Sequence, residues 1–143
     1  MDSFVKMINR IARLSALYRE KEFKRFGLGE MHHAYILGVC AEPGISQEEL
    51  ACKIFINKSN VARQLAQLEQ KGFITRQSDQ NDARRLRIFP TAKSLAIEAE
   101  IRSILADWNQ SLLAEIPKEQ QEAVLSGLQT IMEKAETNMC SKK

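Results

Sequence analysis

The sequence predicts a mainly α-helical fold that carries one small β-hairpin, and three observations point to it. Apolar residues recur at three- and four-residue steps in the first and last thirds of the chain. Two capped helical segments follow one another near the middle. Directly after them come two short β-prone runs around a polar loop. At 143 residues the chain is sized for one domain with a modest core. Hydrophobic residues make up 44% and charged residues 27%, a globular balance rather than a disordered one.

Each element has its own signal. Phe4, Met7, Ile8, Ile11, Leu14 and Tyr18 mark an amphipathic first helix, running to about Phe26, where Gly27 and Gly29 interrupt it. A second helix through "EMHHAYILGVC" should bury Met31, Tyr35, Ile36, Val39 and Cys40, and it stops at the turn formed by Pro43 and Gly44. In "SQEEL" the Ser46 hydroxyl can accept from the Glu49 amide while the Glu49 carboxylate reaches back to the Ser46 amide, a capping box. That opens a short helix with Leu50, Ala51 and Ile54 inward. Asn57 is placed to cap the next helix, "KSNVARQLAQLEQKG", whose Val61, Leu65 and Leu68 share a face and which Gly72 closes.

"FITRQ" and "LRIF" are then the strands of a hairpin. Helical period returns with Ala92, Leu95, Ala96, Ala99, Ile101, Ile104, Leu105, Trp108 and Leu112. Thr91 is placed as N-cap, so that Pro90 and Leu95 occupy the two positions of a hydrophobic staple. Pro117 fits the first turn of a last helix striped by Val124, Leu125, Leu128, Ile131 and Met132. A helix-turn-helix followed at once by a hairpin is a winged helix. The predicted arrangement is one domain over 1–143. Residues 28–90 form the winged helix-turn-helix, 91–115 a long connecting helix, and 1–27 and 116–143 flanking dimerisation helices. The apolar stripes of the flanking helices need a partner, which a second copy of the chain supplies most economically.

Charge is unevenly distributed. Residues 53–93 hold nine basic side chains against Glu69, Asp79 and Asp82, a net +6, whereas residues 96–139 hold eight acids against three bases, a net −5. The first region suits a polyanion and the second does not. Within it, Lys58, Ser59, Asn60, Arg63, Gln64 and Gln67 are the candidate contacts of the second helix of the motif, weighted to its first half, the part that meets base edges in recognition helices. Asp82, Arg84, Arg85 and Arg87 are the candidates of the wing. Asp82 is close enough to brace Arg84 by pairing with it. Arg85 and Arg87 share one strand face, expected on the phosphate side.

Other chemistries find little support. No apolar run approaches the roughly 20 residues of a membrane span, and the first residues lack the apolar block of a secretion signal, so a cytoplasmic protein is expected. His32 and His33 are adjacent, about 100° apart on a helix, which disfavours joint coordination of a metal. No phosphate-binding glycine loop, nucleophile elbow or HExxH occurs, so neither an enzyme nor a cofactor is expected. Three cysteines without a CxxC argue against a disulfide framework or structural zinc, which leaves Cys40 and Cys52 as candidates for redox sensing.

The segments "SQEELACKI", "NKSNVARQLAQLEQKGFITR" and "DARRLRIFPT" resemble the multiple-antibiotic-resistance regulator (MarR) family of bacterial transcription factors, and the likeness extends in order over almost the whole chain. Asp82, Arg84 and Thr91 match the family's wing pattern. Ala83, Pro90 and Ser94 depart from it, where arginine, leucine and glycine are common. The resemblance implies a homodimer over a pseudo-palindromic operator, with recognition helices in successive major grooves about 34 Å apart. It also implies a repressor released by a small phenolic or otherwise amphipathic effector bound between the dimer helices and the winged unit. Tyr18, His32, His33 and Tyr35 are the candidates for that pocket. Some relatives sense oxidants through a cysteine near the start of the first helix; here none precedes Cys40. The readings to set against a DNA-binding repressor are a winged-helix module that binds only protein, and a thiol-based sensor of the same fold.

Overall fold

The structure is a computed structural model describing residues 2–55 and 58–140. Its elements are α1 (Phe4–Phe23), α2 (His32–Ala41), β1 (Ile45–Ser46), α3 (Gln47–Lys53), α4 (Lys58–Gln70), β2 (Ile74–Ser78), β3 (Leu86–Pro90), α5 (Ala92–Leu113) and α6 (Lys118–Cys140). They fall into two compact units, one reaching to Leu105 and the other starting at Ala106.

In the first unit, α3 and α4 bury the faces that their periodicity predicts. Leu50, Ala51, Val61, Leu65 and Leu68 join Tyr35, Ile36 and Val39 of α2 and Ile45, Ile74 and Ile88 of the sheet in one core. Each of the large aliphatic side chains contributes roughly 1.5–3 kcal/mol by leaving water. Both halves of the capping box form: Ser46 Oγ accepts from the Glu49 amide at 3.2 Å, and the Ser46 amide donates to Glu49 Oε2 at 3.3 Å. Gly72 closes α4 at φ 84°, the left-handed conformation that a glycine adopts without steric cost. Asn57, the expected cap of α4, lies outside the described residues.

The last turn before Gly27 is a 3₁₀ turn over Lys24–Phe26 rather than a continuation of α1. Met31, which precedes α2 with φ 62°, and Cys40 pack against the core but are only half-buried. The sheet has three strands in the order β1-β3-β2, with Ile45 opposite Ile88 and Ser46 opposite Arg87. Two residues are too few for β1 to show a period. In α5 the inward face is Ser94, Ile97, Ile101, Ile104 and Leu105, while Leu95 is 55% exposed. The polar residue takes the inward place because its hydroxyl donates to the Phe73 carbonyl, which satisfies both groups away from water.

In the second unit, the Gln121 amide nitrogen donates to the carbonyls of Leu113 and Ile116 at 3.1 and 2.8 Å, tying the chain that leaves α5 to the first turns of α6. Pro117 immediately precedes the first helical residue of α6 rather than occupying its first turn. Val124, Leu125, Leu128, Ile131 and Met132 form an apolar face on α6 that is exposed in the single chain.

Phe55, just after α3, has φ 53° and is 74% exposed. A side chain in that left-handed region costs about 1–2 kcal/mol, and here little burial offsets it. Phe55→Gly is therefore expected to raise the unfolding free energy in urea by about 1 kcal/mol. An unchanged or lowered midpoint would show that the turn is not strained.

Candidate nucleic-acid interface and adjoining cavity

The basic segment counted along the sequence is arranged very unevenly in space. Among the described residues, four of its cations are in ion pairs: Lys53 with Glu42, Arg76 with Glu69, Arg85 with Glu49 and Arg87 with Asp79. Two more hold backbone carbonyls, Lys71 that of Gly27 at 2.6 Å and Lys93 that of Lys71 at 2.7 Å. On α4, Arg63 donates to Asn60 Oδ1 at 3.2 Å, so two predicted contacts form one exposed pair in the first half of the helix. Ser59 and Gln67 are exposed on the same helix. The Lys58 side chain lies outside the described residues. Gln64 does not join the exposed set, because its side-chain oxygen lies 2.6 Å from His32 Nε2.

The wing is built differently from the sequence reading. Asp82 does brace the turn, but its carboxylate accepts the Arg84 backbone amide at 3.0 Å rather than the guanidinium. The Asp82 carbonyl accepts the Arg85 amide at 3.0 Å. Short acids commonly close turns in this way, by bonding to the backbone two residues on. Arg84 is left exposed at the tip, with no ion pair among the described residues. Arg85, just before β3, and Arg87 within it both reach protein partners instead of standing free. Arg85 reaches Glu49 Oε1 at 2.6 Å and Ser46 Oγ at 3.2 Å, and Arg87 reaches Asp79 Oδ2 and the Gly44 carbonyl, both at 2.9 Å. The Asn81 amide, followed by Arg87, holds the Asp79 carboxyl below its ordinary value. Glu69 joins the end of α4 to β2 through the Arg76 amide and guanidinium, which lower its own pKa.

A cavity of about 610 Å³ lies between α1 and the corner leading into α2. Its apolar wall is Ala16, Leu17, Phe23, Leu28 and Met31; its charged rim is Arg13, Arg19, Lys24, Glu20 and Glu30. Of the residues predicted for a pocket, only His33 lines it. Tyr18 is not among the lining residues, Tyr35 is fully buried in the core, and His32 faces α4. Sequence spacing placed all four on adjoining helices but did not show which way each ring turns. The wall residues it missed carry only the ordinary signal of helix surface positions. Phe23 stacks on His33 with ring centroids 5.2 Å apart.

Burial, then the charges of Arg19 and His32, lowers the His33 imidazole to about 4. Cys40 is half-buried, and burial pushes its thiol up, away from the thiolate that reacts with oxidants; Cys52 is exposed. Among the described residues, no group of His, Cys, Asp and Glu is placed to hold a metal, and no helix is long and apolar enough to cross a membrane.

Two helices in helix-turn-helix order, a wing with arginine at its tip and a polar first half of α4 define a winged-helix protein of the nucleic-acid-binding class. Comparison with known proteins agrees. The MarR family model matches residues 40–86, the stretch that holds both helices of the motif and most of the wing. The chain is 26% identical over 136 residues to YybA, an uncharacterized HTH-type transcriptional regulator of Bacillus subtilis (strain 168), covering 95% of this chain and 91% of that one. The crystal structure of the transcriptional regulator SlyA superposes with a TM-score of 0.93 at 27% identity, covering 99% and 100% of the two chains. A MarR family regulator from Listeria monocytogenes, solved with a 26-mer DNA, shares the fold at a TM-score of 0.86 and 24% identity, covering 94% and 89%. The chain is thus similar over nearly its whole length to helix-turn-helix transcriptional regulators, and the stretch that carries the motif matches the MarR family, whose members are non-enzymatic DNA-binding proteins.

An imidazole held at about 4 instead of 6.5 binds fewer protons folded than unfolded between those values. Stability is therefore full above the unfolded value and lost as the pH falls toward the folded one. In urea unfolding, the wild type is expected to lose on the order of 2 kcal/mol between about pH 7 and pH 4.5. His33→Phe keeps the ring against Phe23 and should flatten that profile. Equal slopes for the two proteins would show that His33 is not the group responsible.

Proposed function

We propose that the chain acts as a homodimer that binds a pseudo-palindromic DNA operator, represses transcription there, and is released by a small amphipathic effector. The observation that carries this reading is the pairing of two exposed basic elements in one compact unit: Asn60 and Arg63 at the front of α4, and Arg84 at the tip of the wing. In this reading α4 enters the major groove, where Ser59, Asn60 and Arg63 face the base edges and Lys58 lies near a phosphate. Arg84 reaches into the minor groove, whose negative potential favours a planar guanidinium. Asp82 shapes the turn that presents it, while Arg85 and Arg87 frame the wing from the side of the body. The structure of a Listeria relative with DNA supports the same mode of use.

A second copy is called for by the apolar faces. On α1, Phe4, Ile11 and Leu14 are each more than 50% exposed, and α6 presents Val124, Leu125, Leu128 and Ile131. A single chain rarely leaves so much apolar surface in water. The cavity beside α1 is the effector site in this scheme. Its apolar wall and its rim of three cations against two acids suit a flat, apolar molecule bearing one negative charge. A purely protein-binding module has no use for arginine at both the helix and the wing, and the raised Cys40 thiol favours a ligand over an oxidant as the signal.

Two outcomes test this. Affinity for a duplex selected from genomic fragments should fall steeply with salt, and Arg84→Ala should weaken binding to every sequence about equally. Arg63→Ala should also relax preference at one base position by about 1–3 kcal/mol. Salt-independent binding, or a base preference unmoved by Arg63→Ala, would contradict the assignment. Separately, Leu14→Glu combined with Leu128→Glu should convert the mass measured by light scattering from two chains to one. A wild-type protein that runs as a monomer at micromolar concentration would remove the dimer.

A further inference from the structure

We propose that His32 is a positioning residue for the recognition helix: it pins α4 to the corner Gly29–Met31 through Gln64, and Gln64 serves as that anchor rather than as a base-reading side chain. The inference deepens the proposed DNA-reading function and rests on it. His32 is 1% exposed. Its Nδ1 accepts the Gly29 backbone amide at 2.9 Å, and its Nε2 lies 2.6 Å from Gln64 Oε1. A backbone N–H only donates, so Nδ1 carries no proton. The neutral ring then carries its proton on Nε2 and donates it to Gln64. One amide of the corner thus sets the tautomer that the bond to α4 requires.

The fit is tight. A Cβ built on Gly29 would stand 3.3 Å from His32 Cε1, and the His32 amide donates back to the Gly29 carbonyl at 3.3 Å. The groups that face the ring from α4 and its end are Gln64, Gln67 and Lys71; the neighbouring imidazole on α2 is His33. Burial and the Lys71 charge both favour the neutral ring, in keeping with this bond pattern. Lys71 holds the Gly27 carbonyl at 2.6 Å, so the same corner grips the recognition helix twice, at Gln64 and, two turns later, at Lys71 just beyond its end. Leu28, Gly29, Glu30 and Met31 also line the cavity. A molecule that shifts this wall therefore shifts the donor that orients His32, and with it the seat of α4.

The test is a cycle of His32→Ala, Gln64→Ala and the double variant in the full chain. It is read as affinity for a selected duplex at a temperature where all four proteins are folded. Each single change should weaken binding about three- to tenfold, the size of one lost hydrogen bond. The double variant should be no worse than the weaker single, and Gln64→Ala should select the same sequences as wild type. Gln64→Met, which keeps the length of the side chain, covers the case in which the alanine variant does not fold. Nitrogen-detected NMR should show a neutral His32 protonated on Nε2 at neutral pH. Additive losses, a changed base preference in Gln64→Ala, or full affinity in a folded His32→Ala would each overturn the proposal. If the wild type binds no duplex even at low salt, the regulatory reading fails. The same cycle followed by urea unfolding still decides the pin, which non-additive losses would support and additive losses would overturn.

Discussion

The winged unit depends on one carboxylate. Glu49 accepts the Ser46 amide through Oε2 and the Arg85 guanidinium through Oε1, so the cap of α3 and the residue that leads into β3 share a single side chain. Ser46 does double duty beside it, since its hydroxyl caps α3 and also accepts from Arg85. Ser46 is fully buried. There the capping bonds contribute about 1 kcal/mol or more, and a charged partner roughly doubles the strength of a hydrogen bond. Arg87 repeats the theme one strand pair along, linking Asp79 of the wing to the Gly44 carbonyl before β1.

The consequence is a division of labour among arginines that look alike in sequence. Arg85 and Arg87 fix how the wing meets the helix-turn-helix, and Arg84, whose backbone alone is held by Asp82, is free to meet a ligand. A rigid frame with one exposed guanidinium suits groove recognition, because the frame is already ordered before DNA arrives and less entropy is lost on binding. The same reasoning applies to α4. It is seated by Val61, Leu65 and Leu68, tied by Gln64 and followed by the Lys71 tie, leaving Asn60 and Arg63 outward.

What the sequence made legible follows from how local each signal is. The capping box, the face of Val61, Leu65 and Leu68, the closing Gly72 and the hairpin all rest on spacings of two to four residues, and all are present in the structure. The departures are long-range. β1 exists only because Ile45 and Ser46 lie against Ile88 and Arg87. Ser94 displaces Leu95 from the core because a carbonyl 21 residues away accepts its hydroxyl. The net charge of the 53–93 segment overstated the free cations, since the acids that neutralise Arg85 and Lys53 lie outside it, at Glu49 and Glu42. The orientation of His32 and Tyr35 was beyond periodicity for the same reason, as it is set by partners on other elements.

In the proposed function, the front of α4 and the tip of the wing together form the surface that meets DNA. Hydrogen exchange of the full chain, with and without mixed-sequence duplex DNA at low salt, tests it directly and works whatever the operator sequence. Added protection is expected at residues 58–63 and 80–85, with little change along 118–140. Protection confined to α6, or absent from both the helix and the wing while DNA is bound, would contradict it.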